Sequence, residues 1–317
     1  MRLVILSPDY SNRVNWGHQH VRDAILKLLP NRSLQFGEGC EFRGQTHVPS
    51  ICKTVEKEIG YPDAILMENW KNMSKYTEVS KTSCVKAFVL CDYYPDSRGN
   101  YGPYNMLMRR HKIDLAICNT PQVLRNLNWN RREGKVPRSL HGVWVPQGVN
   151  TDIFKPRDVA KEYDVMAVFG LVSYIYPKRE AVQRLVKKMP NVRALIGDWK
   201  TRIIHHRYAE AINRSKIFIC SNGINNQVLM KYFEVMASGT FLLTNLPNDY
   251  ARYGFEPGVH FGVWDDLADL EKKINHYLRH DALREQIARN GMELVRDRYS
   301  VEEIAKQTIG AIEGELQ

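Results

Sequence analysis

The chain contains no Cys-x-x-Cys pair, no Gly-x-Gly-x-x-Gly, no Walker phosphate loop and no Asp-x-Asp. Without paired cysteines the common zinc and dithiol frameworks are excluded, and Cys40, Cys52, Cys84, Cys91, Cys118 and Cys220 read as reduced thiols of a cytoplasmic protein. Long apolar runs are also missing. Leu3–Leu6 is cut off by Pro8 and Asp9, too early for a signal-peptide core, and Val165–Tyr176 is too short to span a bilayer. No repeat of 20–50 residues and no low-complexity tract is present, which excludes solenoids and disordered arrays.

What remains is ordinary in bulk and uneven in charge. The 317 residues, 44% hydrophobic and 25% charged, suit a soluble globular protein with two domains. The net charge of +10 is concentrated in residues 1–150, where 21 Lys and Arg face 13 Asp and Glu; residues 151–317 hold 24 against 22. A basic first half points to an acidic partner such as nucleic acid, a membrane surface or a phosphorylated acceptor, unless scattered surface lysines simply add up. Its densest cluster is Asn128–Arg138, where Arg131, Arg132, Lys135 and Arg138 surround Trp129. Polar and containing Gly and Pro, that segment reads as a surface loop.

Apolar runs of strand length alternate with helical periodicity, the pattern of parallel sheets covered by helices. In the first half the strands are 2–6, 64–67, 86–91, 114–118 and 143–146, with helices at 20–29, 54–60 and 121–127. Residues 145–164 have Pro, Gly, Asn and charge without periodicity and read as a linker. A second series follows: strands 165–170, 192–197, 216–221 and 240–244, and helices 179–189, 227–237, 267–279, 281–296 and 300–314. The expectation is an α/β protein of two Rossmann-like domains, 1–150 and 151–300. A closing helix, 301–317, packs back toward the first domain, and the site lies in a cleft between the carboxyl ends of the strands.

The segment Lys231–Thr244 combines a helix opening with Lys231 and Glu234, a small-residue turn through Gly239, and an apolar strand. A carboxylate there can accept two hydrogen bonds from the vicinal hydroxyls of a ribose. Gly170 ends a strand, and Lys178 and Arg179 follow at a helix start, a cradle for a diphosphate. Asn226 stands eight positions before Glu234, in an Asn-rich loop at the helix opening. In the first half, Gly17 precedes a helix whose start carries His18, and Asp92 ends the third strand, where it can take a proton from a hydroxyl. Tyr93, Tyr94, Tyr101 and Tyr104 with Arg98 read as a long binding loop rather than core. The structural alternatives are an ordinary αβ unit for Lys231–Thr244, a solvated basic pair for Lys178 and Arg179, a surface or capping residue for His18, and a capping or loop-stabilising residue for Asp92.

Four segments, PQGVNTDIFKP (146–156), DVMAVFGLVSYIYPKRE (164–180), KYFEVMASGTFLLT (231–244) and residues 265–300, together resemble the GT-B-fold glycosyltransferases. Within them the resemblance is to the family-4-like group and its spore-maturation-type branch, and it covers residues 145 to about 310. It implies sugar transfer from a nucleotide-sugar, UDP-linked in our reading, to a hydroxyl acceptor, with no cofactor and no obligatory metal. Glu234 would hold the donor ribose, Arg179 and Lys231 the diphosphate, with Lys178 and Gly170 beside them. Gly17 would approach the transferred sugar. Many relatives carry a glutamate where this chain has neutral Asn226, so the sugar and the stereochemistry stay open. Asp92, then His18, are the candidate bases. Tyr94, Arg98, Tyr101, Arg131 and Arg132 are the acceptor or nucleic-acid candidates. The acceptor expected is a cell-surface glycan, lipid-linked sugar or protein. The alternatives are a hydroxymethylated pyrimidine in DNA, as in phage enzymes, or a non-catalytic nucleotide-sugar-binding protein on the same scaffold.

Overall fold

A computed structural model of the chain describes residues 1–8, 16–40, 44–68, 74–91, 93–96, 98–198, 201, 203 and 205–317, with backbone alone at 16–18 and 205. The chain divides into two compact units, Met1–Gln147 with Glu302–Gln317, and Gly148–Val301. Each holds one parallel sheet with its own apolar core.

The first sheet runs β2-β1-β3-β4-β5-β6. Its strands are β1 (Leu3–Leu6), β2 (Ser33–Phe36), β3 (Ala64–Glu68), β4 (Val85–Leu90), β5 (Leu115–Cys118) and β6 (His141–Trp144). β1 is buried at every position, as a parallel strand between two others must be. The helices are α1 (Trp16–Leu28), α2 (Val48–Ile59), α3 (Tyr104–His111) and α4 (Pro121–Arg132). α2 starts six residues before the sequence suggests, because Val48, Ile51, Cys52 and Val55 form one buried helical stripe and Pro49 fits its first turn. β2 escapes the pattern because, of its four residues, only Phe36 is fully buried.

Three first-half expectations are corrected. Tyr93 and Tyr101 are core residues, not binding-loop residues: their rings meet at 4.5 Å, Tyr104 packs on Tyr93 at 5.6 Å, and the Tyr93 hydroxyl donates to Asn105. The segment read as a loop from Asn128 is helical through Arg132, since Leu127 and Asn130 carry the buried face of α4 one turn further. Gly17 does not precede α1 but lies in its first turn.

The second sheet runs β11-β10-β9-β7-β8, all parallel. Its strands are β7 (Tyr163–Val168), β8 (Ala194–Gly197), β9 (Ser215–Cys220), β10 (Phe241–Thr244) and β11 (Gly262–Val263). β7 takes in the end of the expected linker because the Asp164 carboxylate caps Arg193 and pairs with Lys216 across the neighbouring strands. Its helices are α5 (Arg179–Lys188), α6 (His205–Asn213), α7 (Met230–Ala237), α8 (Leu267–Arg279) and α9 (Asp281–Arg298). α7 is anchored by an aromatic cluster: Phe233 meets Tyr299 at 5.0 Å and Phe255 at 5.9 Å. It stops at Gly239, whose φ of +68° supplies the left-handed residue a helix end requires. α10 (Val301–Gly314) belongs to the first unit for nearly all its length, where Glu315 just beyond it reaches His141 of β6 at 2.9 Å.

Candidate active site

In the second sheet β7 lies between β8 and β9, so the order in which the chain adds its parallel strands reverses between β7 and β9. Crevices outside the carboxyl ends of such strands are where open α/β sheets bind ligands. Arg179, the first residue of α5, spans this one. Its Nε donates to the Ser221 carbonyl after β9 and its Nη1 to the Gly170 carbonyl after β7, each at 3.0 Å. The guanidinium lies 3.3 Å from the centroid of the Tyr176 ring. Burial pulls its pKa below the ordinary value.

The first sheet has its own reversal between β1 and β3, and a buried arginine sits there too. Arg22 donates to the Ser7 hydroxyl after β1 at 2.7 Å and pairs with Glu68 at the end of β3. The two arginines differ in one respect: Arg22 is neutralised by a carboxylate, whereas among the described residues none pairs with Arg179. A buried cation without a counter-charge costs several kcal/mol, roughly, which an incoming anion recovers.

Lys231, one residue into α7, adds a second cation to this crevice. Its Nζ donates to the Tyr208 hydroxyl at 2.9 Å and stands 4.5 Å above that ring. Tyr208 belongs to α6 and is locked edge-on against Phe154 and Phe218. Burial lowers the pKa of the Lys231 ammonium, with the Glu234 charge opposing the shift. Burial in turn raises the pKa of Glu234, opposed by Lys231. Among the described residues nothing hydrogen-bonds to the Glu234 carboxylate, so its acceptor sites are open. Two cations that can face a diphosphate, and beside them a carboxylate that can face two hydroxyls, make up this crevice.

The remaining candidates are more dispersed. Lys178, adjacent to Arg179, points elsewhere: exposed and 5.9 Å from the Trp264 ring, it lines a cavity of about 380 Å³ with Asn222, Asn226, Asn245 and Leu246. Gly170 has open space where a Cβ would stand. Asn226 does not open α7 but sits four residues before it, left-handed at φ +44°. Its amide already donates to the Leu246 carbonyl and Asn248 and accepts from Asn222, so only acceptor capacity on Oδ1 is left for a ligand. Tyr94 is half-buried and 3.4 Å from the Thr120 hydroxyl, and Arg98 is exposed in a turn closed by Asp96. Arg131 is half-buried, donating to the Leu140 carbonyl, and Arg132 is exposed. Asp92 and the His18 side chain lie outside the described residues. Among the described residues no group of three or more His, Cys, Asp and Glu is arranged to hold a metal ion.

Sequence reasoning missed Tyr208, Tyr176 and Ser221. The first was detectable, because Tyr208, Ala209, Ala211 and Ile212 form a short buried helical stripe. Ser221 acts through its backbone carbonyl, which no residue type announces.

Residues 178–310 match the glycosyl transferase-like family model, a span that includes Arg179, Lys231 and Glu234. The whole chain superposes on Alr3699/HepE of Anabaena in complex with UDP-glucose, with a TM-score of 0.73 at 14% identity, covering 99% of this chain and 100% of that one. The fold is GT-B. Sucrose-phosphate synthase from Thermosynechococcus elongatus gives a TM-score of 0.65 at 12% identity, over 99% of this chain and 98% of the other. An α-glucosyltransferase in complex with UDP and a 13-mer DNA containing a HMU base gives 0.64 at 11%, over 98% of each chain. No curated protein matches the sequence. No helix of this GT-B chain among the described residues is long and apolar enough to cross a membrane.

Proposed function

We propose that this protein is a glycosyltransferase that moves a sugar from a UDP-sugar to a hydroxyl acceptor. The observation that carries the reading is the pair of buried cations at the β7–β9 reversal, Arg179, with no carboxylate partner among the described residues, and Lys231, with the open carboxylate of Glu234 beside them. The acceptor oxygen attacks the anomeric carbon of the sugar, the bond from that carbon to the diphosphate oxygen breaks, and UDP leaves with the electron pair. Arg179 and Lys231 offset the charge that gathers on the leaving diphosphate, in place of a metal ion. Glu234 holds the ribose. In an inverting reaction Asp92 accepts the acceptor proton, with His18 as the second choice. The complexes of Alr3699/HepE with UDP and UDP-glucose support the choice of nucleotide.

The test is release of free UDP from a panel of UDP-sugars by the full chain; a protein that binds UDP but releases none from any member is a binder, not an enzyme. Asp92→Asn is expected to cut turnover by roughly 100-fold or more if Asp92 is the general base, and near-normal turnover removes that role. A second reading places the acceptor hydroxyl on a base of DNA. It draws on the excess positive charge of residues 1–150 and on the DNA complex of the α-glucosyltransferase of similar fold.

A further inference from the structure

We propose that the carboxyl-terminal ends of α3 and α4, with the loop that follows α4, form a docking surface for the phosphate backbone of duplex nucleic acid. The inference rests on charge and exposure and does not depend on the glycosyl-transfer reading. Residues 101–150 carry eight Lys and Arg against Asp114 and Glu133 alone, a balance of +6. The structure gathers most of this charge in one place. Arg109 at the end of α3 donates to the carbonyls of Gly134 and Lys135, which binds that helix end to the loop after α4. Lys135 in turn sits 4.2 Å over the ring of Trp129, itself 41% exposed.

Basic residues at helix ends often do no more than complement the helix dipole. Two helix ends present about half a negative charge each, roughly −1 together, which leaves most of the +6 uncompensated. Nor do carboxylates absorb it. Among the described residues Arg109, Arg110, Arg131, Arg132, Lys135 and Arg138 make no ion pair, whereas in the second unit Arg214 is held by Glu162 and Glu210, Arg193 and Lys216 by Asp164, and Arg284 by Asp281. The charge of this cluster therefore has no carboxylate partner among the described residues, whereas Arg2, Lys81 and Lys86 of the same unit are paired.

Arginine predominates in the patch, and its planar fork suits phosphate oxygens better than the point charge of lysine. A membrane surface is less well matched: Trp129 and Met106 are the exposed large apolar residues of α3 and α4, while Val123 and Leu127 of α4 are buried. The patch lies at the far end of α4 from Thr120, which caps the helix beside the carboxyl end of β5. A twelve-residue helix is about 18 Å long, so the surface tethers and steers a long polyanion and does not itself hold a reacting group.

The experiment is fluorescence anisotropy of a labelled 20-base-pair DNA duplex with the full chain, from 50 to 200 mM NaCl. Each phosphate contact contributes about 0.9 to the slope of log K against log salt, so R131Q/R132Q is expected to flatten the slope by about 2 and weaken binding at least tenfold at 100 mM, on the order expected for two contacts. R110Q/R138Q, whose side chains make no hydrogen bond among the described residues, gives the same result without touching the fold. K187Q/K188Q, an equal charge loss at the end of α5, leaves the slope unchanged. Absence of duplex binding at 50 mM, equal losses in all three variants, or tighter binding to phosphatidylserine vesicles than to the duplex each overturns the proposal. UDP release measured on the same samples reports separately on the transferase reading.

Discussion

Replacing Glu234 with alanine is expected to raise the KM for a UDP-sugar by roughly 100-fold or more while leaving the free protein at least as stable as its parent. The donor loses two hydrogen bonds to a charged group, worth about 1.5–3 kcal/mol each, and about 3 kcal/mol corresponds to a little over two decades of affinity. The free protein loses nothing comparable, because among the described residues no donor reaches that carboxylate, and its burial already disfavours the charged form. The pH dependence has a definite sign. A carboxyl group whose pKa is raised in the folded state leaves stability intact below its unfolded value, near 4.5, and reduces it as the pH rises above that value. Glu234→Gln imitates the protonated form. The variant is therefore expected to melt above the parent at neutral pH, with the difference closing as the pH falls through the usual carboxylate range. Thermal melts from pH 4 to 8, paired with donor KM values, check both halves; unchanged KM in Glu234→Ala would sink the ribose assignment.

The second large effect is expected at Arg179. In the parent, UDP at a hundred times its Kd should stabilise the fold by about 2.7 kcal/mol. In Arg179→Met the binding weakens at least 100-fold, roughly, and the same concentration stabilises by about 0.4 kcal/mol. The effect on the free protein is smaller, since two opposing changes meet. The carbonyls of Gly170 and Ser221 lose their donors, but a buried cation with no carboxylate partner among the described residues is removed. Arg22→Met, at the other sheet's reversal, strands the buried Glu68 and gives the opposite profile, with a large loss of stability. A UDP titration followed by thermal shift separates the two. If Arg179→Met keeps the parent's UDP response, the diphosphate is held elsewhere.

Much of the scaffold was legible because a short apolar run bounded by turn residues must be buried, and at that length a strand buries it best. α8 was placed at both ends, since Asp266 caps it by accepting from the Asp269 N–H and its buried stripe of Leu270, Ile274 and Tyr277 is regular. β2 and α6 were not seen: one is a short strand at the sheet edge, the other a helix of nine residues. The site was legible in part. Glu234, Lys231 and Arg179 stand out as charged residues at element starts, but nothing in Lys178–Arg179 tells which of two neighbours turns inward. Successive residues at a helix start point about 100° apart, and here that rotation places one beside Trp264 and the other under the Tyr176 ring. The burial of Tyr93 and Tyr101 was hidden for a related reason: tyrosine serves equally as a core and as a surface residue, and composition cannot choose.

The division of the chain also has a consequence for how the protein is made. The second unit, Gly148–Val301, is uninterrupted, while the first takes Glu302–Gln317 from beyond it. A ribosome therefore releases everything the second unit needs before it releases the last segment of the first. The half translated earlier is the half completed later, and its β6 edge waits for Glu315 until the whole of the second unit has been made.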